Sequence, residues 1–161
     1  MDDSQCLTPE AHITTRLIDS LHTETMILAD EARKYFDEAG RDERAMLEPS
    51  ARVGFACESL KLTTRIMHIV AWLLTQRAIE SGELNGVEGR RSERRLGHVL
   101  GSDQLVVDQL PRAARVLINA SAELYARVRR VDQGSIESED APISPARALM
   151  GRLERRLAGG D

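Results

Sequence analysis

The sequence predicts an all-α fold: an antiparallel three-helix bundle with long helices, a flexible linker before the third helix and a short amphipathic C-terminal helix. Three observations carry this. Apolar residues recur at spacings of three and four over three long stretches. Residues 66–74 within the second stretch are apolar around nearly the whole circumference of a helix, with His68 the one ionisable residue. A helix of that kind has to be covered on several sides at once. Finally, the run is too short for a bilayer span, which needs about 20 apolar residues.

The first helix opens at Thr8-Pro9-Glu10, a cap residue followed by proline and an acid at the positive end of the helix dipole. Ile13, Leu17, Leu21, Leu28, Ala32 and Tyr35 lie along one face, and Gly40 ends it. The second helix begins near Pro49-Ser50 and ends at Gly82. One seam along it reads Val53, Cys57, Leu60, Thr64, Met67, Ala71, Leu74, Ala78, and a neighbouring seam reads Phe55, Leu62, Ile66, Ile69, Leu73. Matched lengths and the short connection of residues 40–48 predict an antiparallel hairpin.

The third helix starts near Pro111 and carries Ala114, Leu117, Ser121, Leu124, Val128 and Val131 on one face. Residues 83–109 before it are rich in glycine and arginine, and a linker of that length is expected to be mobile or interactive. Residues 134–144 read as a polar tether. Ser144 and Pro145 then open a short amphipathic helix with Ala146, Leu149, Met150, Leu153 and Leu157 on one side. The expected division is a bundle domain over residues 1–133 and a flexible tail over 134–161.

Composition narrows the function classes. The five aromatics Tyr35, Phe36, Phe55, Trp72 and Tyr125 are a poor supply for stacking bases. Net charge is −4, with twelve acids and five bases in residues 1–50 but nine acids and thirteen bases in 51–133. The acidic balance weighs against a dedicated nucleic-acid binder. Cys6 in the N-terminal stretch and Cys57 at a core-facing position suggest a reduced compartment without a disulfide framework. The N-terminal stretch shows neither the basic nor the apolar region of a secretory signal, so the expected location is cytoplasmic.

No chemistry assembles from the residues. Carboxylate-bridged metal sites in bundles use Glu-x-x-His pairs; the nearest imitation is Asp19-x-x-His22, which surface polarity explains. His12, His22, His68 and His98 share no ligand spacing with the cysteines. Gly82, Gly86 and Gly89 lie between helices with no strand before them, unlike a phosphate loop. Cys57 on a packed seam reads as inert. The expectation is a non-enzyme with no metal and no cofactor. His68 reads as a hydrogen-bonded group at the core edge, and Thr63, Thr64 and Ser121 as inward hydroxyls bonded to carbonyls one turn back. For binding, the candidates are Arg90, Arg91, Arg94 and Arg95 in the linker and Leu149, Met150, Leu153 and Leu157 on the last helix. The double seam of the second helix leaves one apolar stripe to be covered, by a second copy in a homodimer or by a folded-back tail.

The second helix also resembles a family of small helical proteins from alphaproteobacteria, the regulators of CtrA degradation, also described as a domain of unknown function. The resemblance rests on Glu58-Ser59-Leu60, Leu62-Thr63-Thr64-Arg65-Ile66-Met67, Trp72-Leu73-Leu74, Gln76-Arg77-Ala78 and Gly82-Glu83. A second block runs from Leu124 to Asp132, and the likeness covers roughly residues 13–133. It implies a dimeric three-helix bundle without enzymatic activity. Members act as adaptors that help the ClpXP protease degrade cell-cycle transcription regulators, beside other adaptors and through a flexible C-terminal segment. The alternative class is a small helical regulator that binds DNA or a transcription factor through the arginines of residues 90–95 and 127–130.

Overall fold

The computed structural model describes residues 9–89 and 91–140, with side-chain surroundings for 14–89 and 91–135. All regular structure among these residues is helical: α1 (Pro9–Asp37), α2 (Ala39–Ala45), α3 (Pro49–Glu80), α4 (Gly86–Gly89), a 3-10 turn (Ser92–Arg94), α5 (Gln104–Val107) and α6 (Arg112–Asp140). At about 1.5 Å per residue, α1, α3 and α6 each run about 45 Å. The chain divides into two units, Met1–Arg129 and Arg130–Asp161. The packing described below belongs to the first.

Cross-links fix the directions. Arg77 near the end of α3 pairs with Asp19 near the start of α1 at 2.9 Å. At the opposite end the Phe36 and Phe55 rings meet edge-on, 5.6 Å between centroids. These two helices are therefore antiparallel, as the sequence predicts. α6 begins beside Tyr35, whose hydroxyl lies against the Ala114 backbone. It passes Arg65 at Ser121 and pairs Arg127 with Glu24. α6 thus runs parallel to α3, and the physical reason for the long linker follows: parallel neighbours need a crossover that retraces the full helix length.

The core is built from Ile18, Leu21, Leu28 and Ala32 of α1, Phe55, Leu62, Ile69, Trp72 and Leu73 of α3, and Ala114, Leu117, Ile118, Leu124 and Val128 of α6. Burying each large aliphatic among them stabilises by about 1.5–3 kcal/mol. On α3 the buried side is the second seam read from the sequence. The first seam faces outward: Val53, Leu60, Met67 and Leu74 are 65, 67, 64 and 55% exposed, and Cys57 is an exposed free thiol rather than a core residue. Thr63 is exposed too, although its hydroxyl makes the expected bond to the Ser59 carbonyl at 3.0 Å. On α1, Ile18 takes the core position and Leu17 is 40% exposed.

Two boundaries also differ. α1 stops at Asp37, and the 40–48 connection holds α2, with Gly40 inside that short helix. α6 continues to Asp140, past the expected boundary at residue 133 and through part of the expected tether. Its extra turns contain Glu137 and Glu139, good helix formers, and Ser135 bonds back to the Val131 carbonyl at 2.9 Å. α3 ends as the sequence predicts. Gly82 takes a left-handed φ of 78°, and the Leu84 amide reaches back to the Ala78 carbonyl at 2.9 Å.

Candidate interaction surfaces

The linker is laid along α3 from one end to the other. Gly89 sits on Ile79, Gly97 on the His68 ring, and Val106 on Gly54. Between these points, charged side chains of α3 hold the irregular segment of residues 97–103. Lys61 Nζ donates to the Gly101 carbonyl at 3.0 Å and to Glu58 Oε1 at 2.7 Å. The Asp103 amide donates to the same Glu58 oxygen at 3.2 Å. Arg65 donates to the Ser102 hydroxyl at 2.8 Å, the Leu100 carbonyl at 3.4 Å and the Ser121 hydroxyl of α6 at 3.2 Å. Tyr125 of α6 completes the strap by donating to the Gly97 carbonyl at 2.8 Å. The Asp103 carboxylate then caps α5 through the Leu105 amide at 3.0 Å.

Glu58 and Arg65 are thus buried charges, 1 and 2% exposed, that join α3, α6 and the strap. Burial pushes the Glu58 carboxyl up, but Lys61, the Ser102 hydroxyl and the Asp103 amide outweigh it and hold the group below the usual carboxylate range. Burial lowers the Arg65 guanidinium, opposed chiefly by the charge of Glu58. A depressed carboxyl contributes stability that is complete above its unfolded value, about 4.3 for glutamate, and is lost as pH falls through the folded value. In Glu58→Gln this contribution is gone. Its urea midpoint is expected to lie well below the native one at pH 7 and to approach it at pH 3.5, measured by far-UV circular dichroism.

The binding candidates fall in different places. Arg91 and Arg94 are exposed at the 3-10 turn, with Arg95 half-buried beside them. Arg90 lies outside the described residues, as do Leu149, Met150, Leu153 and Leu157. His68 packs on Gly97 with Nδ1 buried, and among the described residues that nitrogen has no hydrogen-bond partner. Sequence reasoning missed Glu58 and Arg65 as architectural residues. The signal was present: with Phe55, Leu62, Ile69 and Trp72 they form an unbroken 3-4 repeat. The outward seam of α3 is a second candidate surface, four apolar side chains at every seventh position.

The described residues contain no group of three or more His, Cys, Asp or Glu placed to hold a metal ion. No described helix is long and apolar enough to cross a membrane. A family model described as "Protein of unknown function (DUF1465)" matches residues 10–157. The chain belongs to this family. The crystal structure of RcdA from Caulobacter crescentus CB15 aligns with this DUF1465 chain at a TM-score of 0.61 and 34% identity, over 73% of this chain and 88% of that one. The family likeness read from residues 58–83 and 124–132 is borne out. No curated protein matches the chain. Of the residues that carry the likeness, Leu62, Arg65, Trp72, Leu73, Leu124 and Val128 of this DUF1465 chain are buried. They set its packing and strap and are not placed to touch a partner.

Proposed function

We propose that this DUF1465 chain is a non-enzymatic cytoplasmic adaptor in regulated proteolysis, delivering cell-cycle transcription regulators to the ClpXP protease. The carrying observation is its likeness to RcdA, at 34% identity over 88% of that chain. Two features support the reading. The surface of α3 presents an uncovered apolar stripe of the kind that marks protein interfaces, and a second copy of the chain is its proposed occupant. The turn that carries Arg91 and Arg94 stands open to protein partners such as other adaptors. The bundle carries one partner, and the chain beyond α6, with Leu149, Met150, Leu153 and Leu157, contacts another. Tethering of that sort works by raising effective concentration, with little demand on intrinsic affinity.

The test is affinity capture from an alphaproteobacterial lysate, full-length chain beside a 1–140 truncation, read by mass spectrometry. Recovery of the unfoldase, another adaptor or response regulators supports adaptor action. Recovery of nucleic-acid-associated proteins alone, abolished by nuclease, overturns it. Removing residues 141–161 is expected to leave the melting temperature nearly unchanged while weakening delivery of cargo. A large fall in melting temperature instead makes the tail part of the core.

A further inference from the structure

The corner where α1, α2 and the start of α3 meet forms an open surface cavity of about 400 Å³, in the size range of clefts that hold ligands. Its apolar lining comes from Phe36, Phe55, Ala56 and Leu60. The corner is preformed. The Tyr35 hydroxyl donates to Glu43 at 2.6 Å and holds α2 against α1. At Gly40 a Cβ would lie 2.9 Å from the Tyr35 carbonyl oxygen and 3.0 Å from its ring, so glycine is what lets α2 approach. Arg52 closes the connection behind α2 by donating to the Leu47 and Ala45 carbonyls at 2.7 and 3.1 Å.

The polar groups of the cavity separate into two kinds. Ser59 and Thr63 have committed their hydroxyls to the carbonyls of Phe55 and Ser59, at 2.6 and 3.0 Å. Arg41 and Arg44 also line the cavity, both exposed, one turn apart on α2 and therefore on one face. Neither guanidinium has a side-chain partner among the described residues, and no carboxylate lines the cavity. The result is an aromatic floor beneath two uncommitted cations.

We propose that this cavity docks a partner protein through a peptide segment whose apolar side chain is flanked by carboxylates. The apolar group enters over Phe36 and Phe55, and the carboxylates meet Arg41 and Arg44, where charge-assisted and bidentate bonds are available. Charge complementarity selects the occupant. The chain's own residues 141–161 carry four arginines against two acids, the wrong sign for a site whose charged lining is two arginines. The site stands apart from the adaptor reading, since it needs neither protease nor dimer.

The test uses the full-length chain and a fluorescein-labelled, amidated glycine-serine peptide bearing a central leucine pair flanked by glutamates, beside its lysine counterpart. Anisotropy is expected to show saturable binding of the acidic peptide only, weakening as salt rises. Arg41→Glu/Arg44→Glu is expected to weaken binding about tenfold or more. Ala56→Phe, which plugs the mouth without changing charge, is expected to do the same. Circular dichroism checks that each variant is folded. Light scattering checks that its mass is unaltered, because Leu60 belongs to both the cavity and the outward stripe. Should Ala56→Phe fail to fold, the arginine variant alone carries the result. Equal binding of both peptides, or full affinity in the folded variants, overturns the proposal. So does octanoate binding without any saturable binding of the acidic peptide at millimolar concentration, which would make the cavity a small-carboxylate site.

Discussion

Arg65→Ala is expected to destabilise the folded chain by about 3 kcal/mol, in the range for removing one member of a buried charged network. Arg65 is 2% exposed, and its guanidinium donates to Ser102, Leu100 and Ser121, three partners on two separate segments. Alanine removes all three bonds and leaves a void where the side chain ran between α3 and α6. The loss also has a place: among the described residues, 97–103 then keep hydrogen bonds to Tyr125, Lys61 and Glu58, beside the packing of Gly97 on His68. Amide exchange in that segment should accelerate well before exchange in the centre of α3. In urea the midpoint falls with little change in slope, and in a thermal scan the drop is about 6–12 °C for a chain of this size. Arg65→Lys keeps the charge but cannot span the same three acceptors with its single ammonium, so an intermediate loss is expected. A loss below about 1 kcal/mol in Arg65→Ala, with exchange in 97–103 unaltered, would show that the strap is held by packing alone.

The same residue explains where the sequence could be read and where it could not. The hairpin, the start of α3 at Pro49 and its end at Gly82 were legible because proline, glycine and 3-4 periodicity act locally. The face that α3 buries was ambiguous, since both seams have the same spacing. The outward one, running from Val53 through Met67 to Leu74, carries no charge, whereas the inward repeat from Phe55 to Trp72 includes Glu58 and Arg65. A hydrophobicity rule ranks the outward seam first and puts Cys57 in the core with it, whereas the structure exposes it. What overrides that rule is tertiary. Glu58 and Arg65 are tolerated inside because the strap, thirty-five or more positions further on, brings the carbonyls and hydroxyls that satisfy them. No local window contains both halves of that arrangement. The cavity beside α2 was hidden for a related reason: it depends on a short helix within what reads as a connection, and on Gly40 allowing close approach to Tyr35.

Met67→Glu/Leu74→Glu is expected to convert the proposed homodimer to a monomer at micromolar concentration, the light-scattering mass falling from twice 17.9 kDa to the chain value. The reasoning starts from the period. Val53, Leu60, Met67 and Leu74 recur every seven residues and cover about 32 Å of α3, a seam suited to pairing with itself about a two-fold axis. In an antiparallel pairing the axis falls between Leu60 and Met67, so Met67→Glu places two unpaired carboxylates near the centre of the interface. Each buried, unpaired charge costs several kcal/mol, enough to raise the dissociation constant by two orders of magnitude or more. In the isolated chain both positions are more than half exposed, so the melting temperature of the variant monomer, compared at equal chain concentration, should lose only the contribution of dimerisation. The rival occupant of the stripe is the chain's own tail, and the two separate cleanly. A folded-back tail gives a native mass of one chain at every concentration, and removing residues 141–161 then lowers stability and turns the stripe into a site of association. A dimer gives a concentration-dependent mass that survives the same truncation.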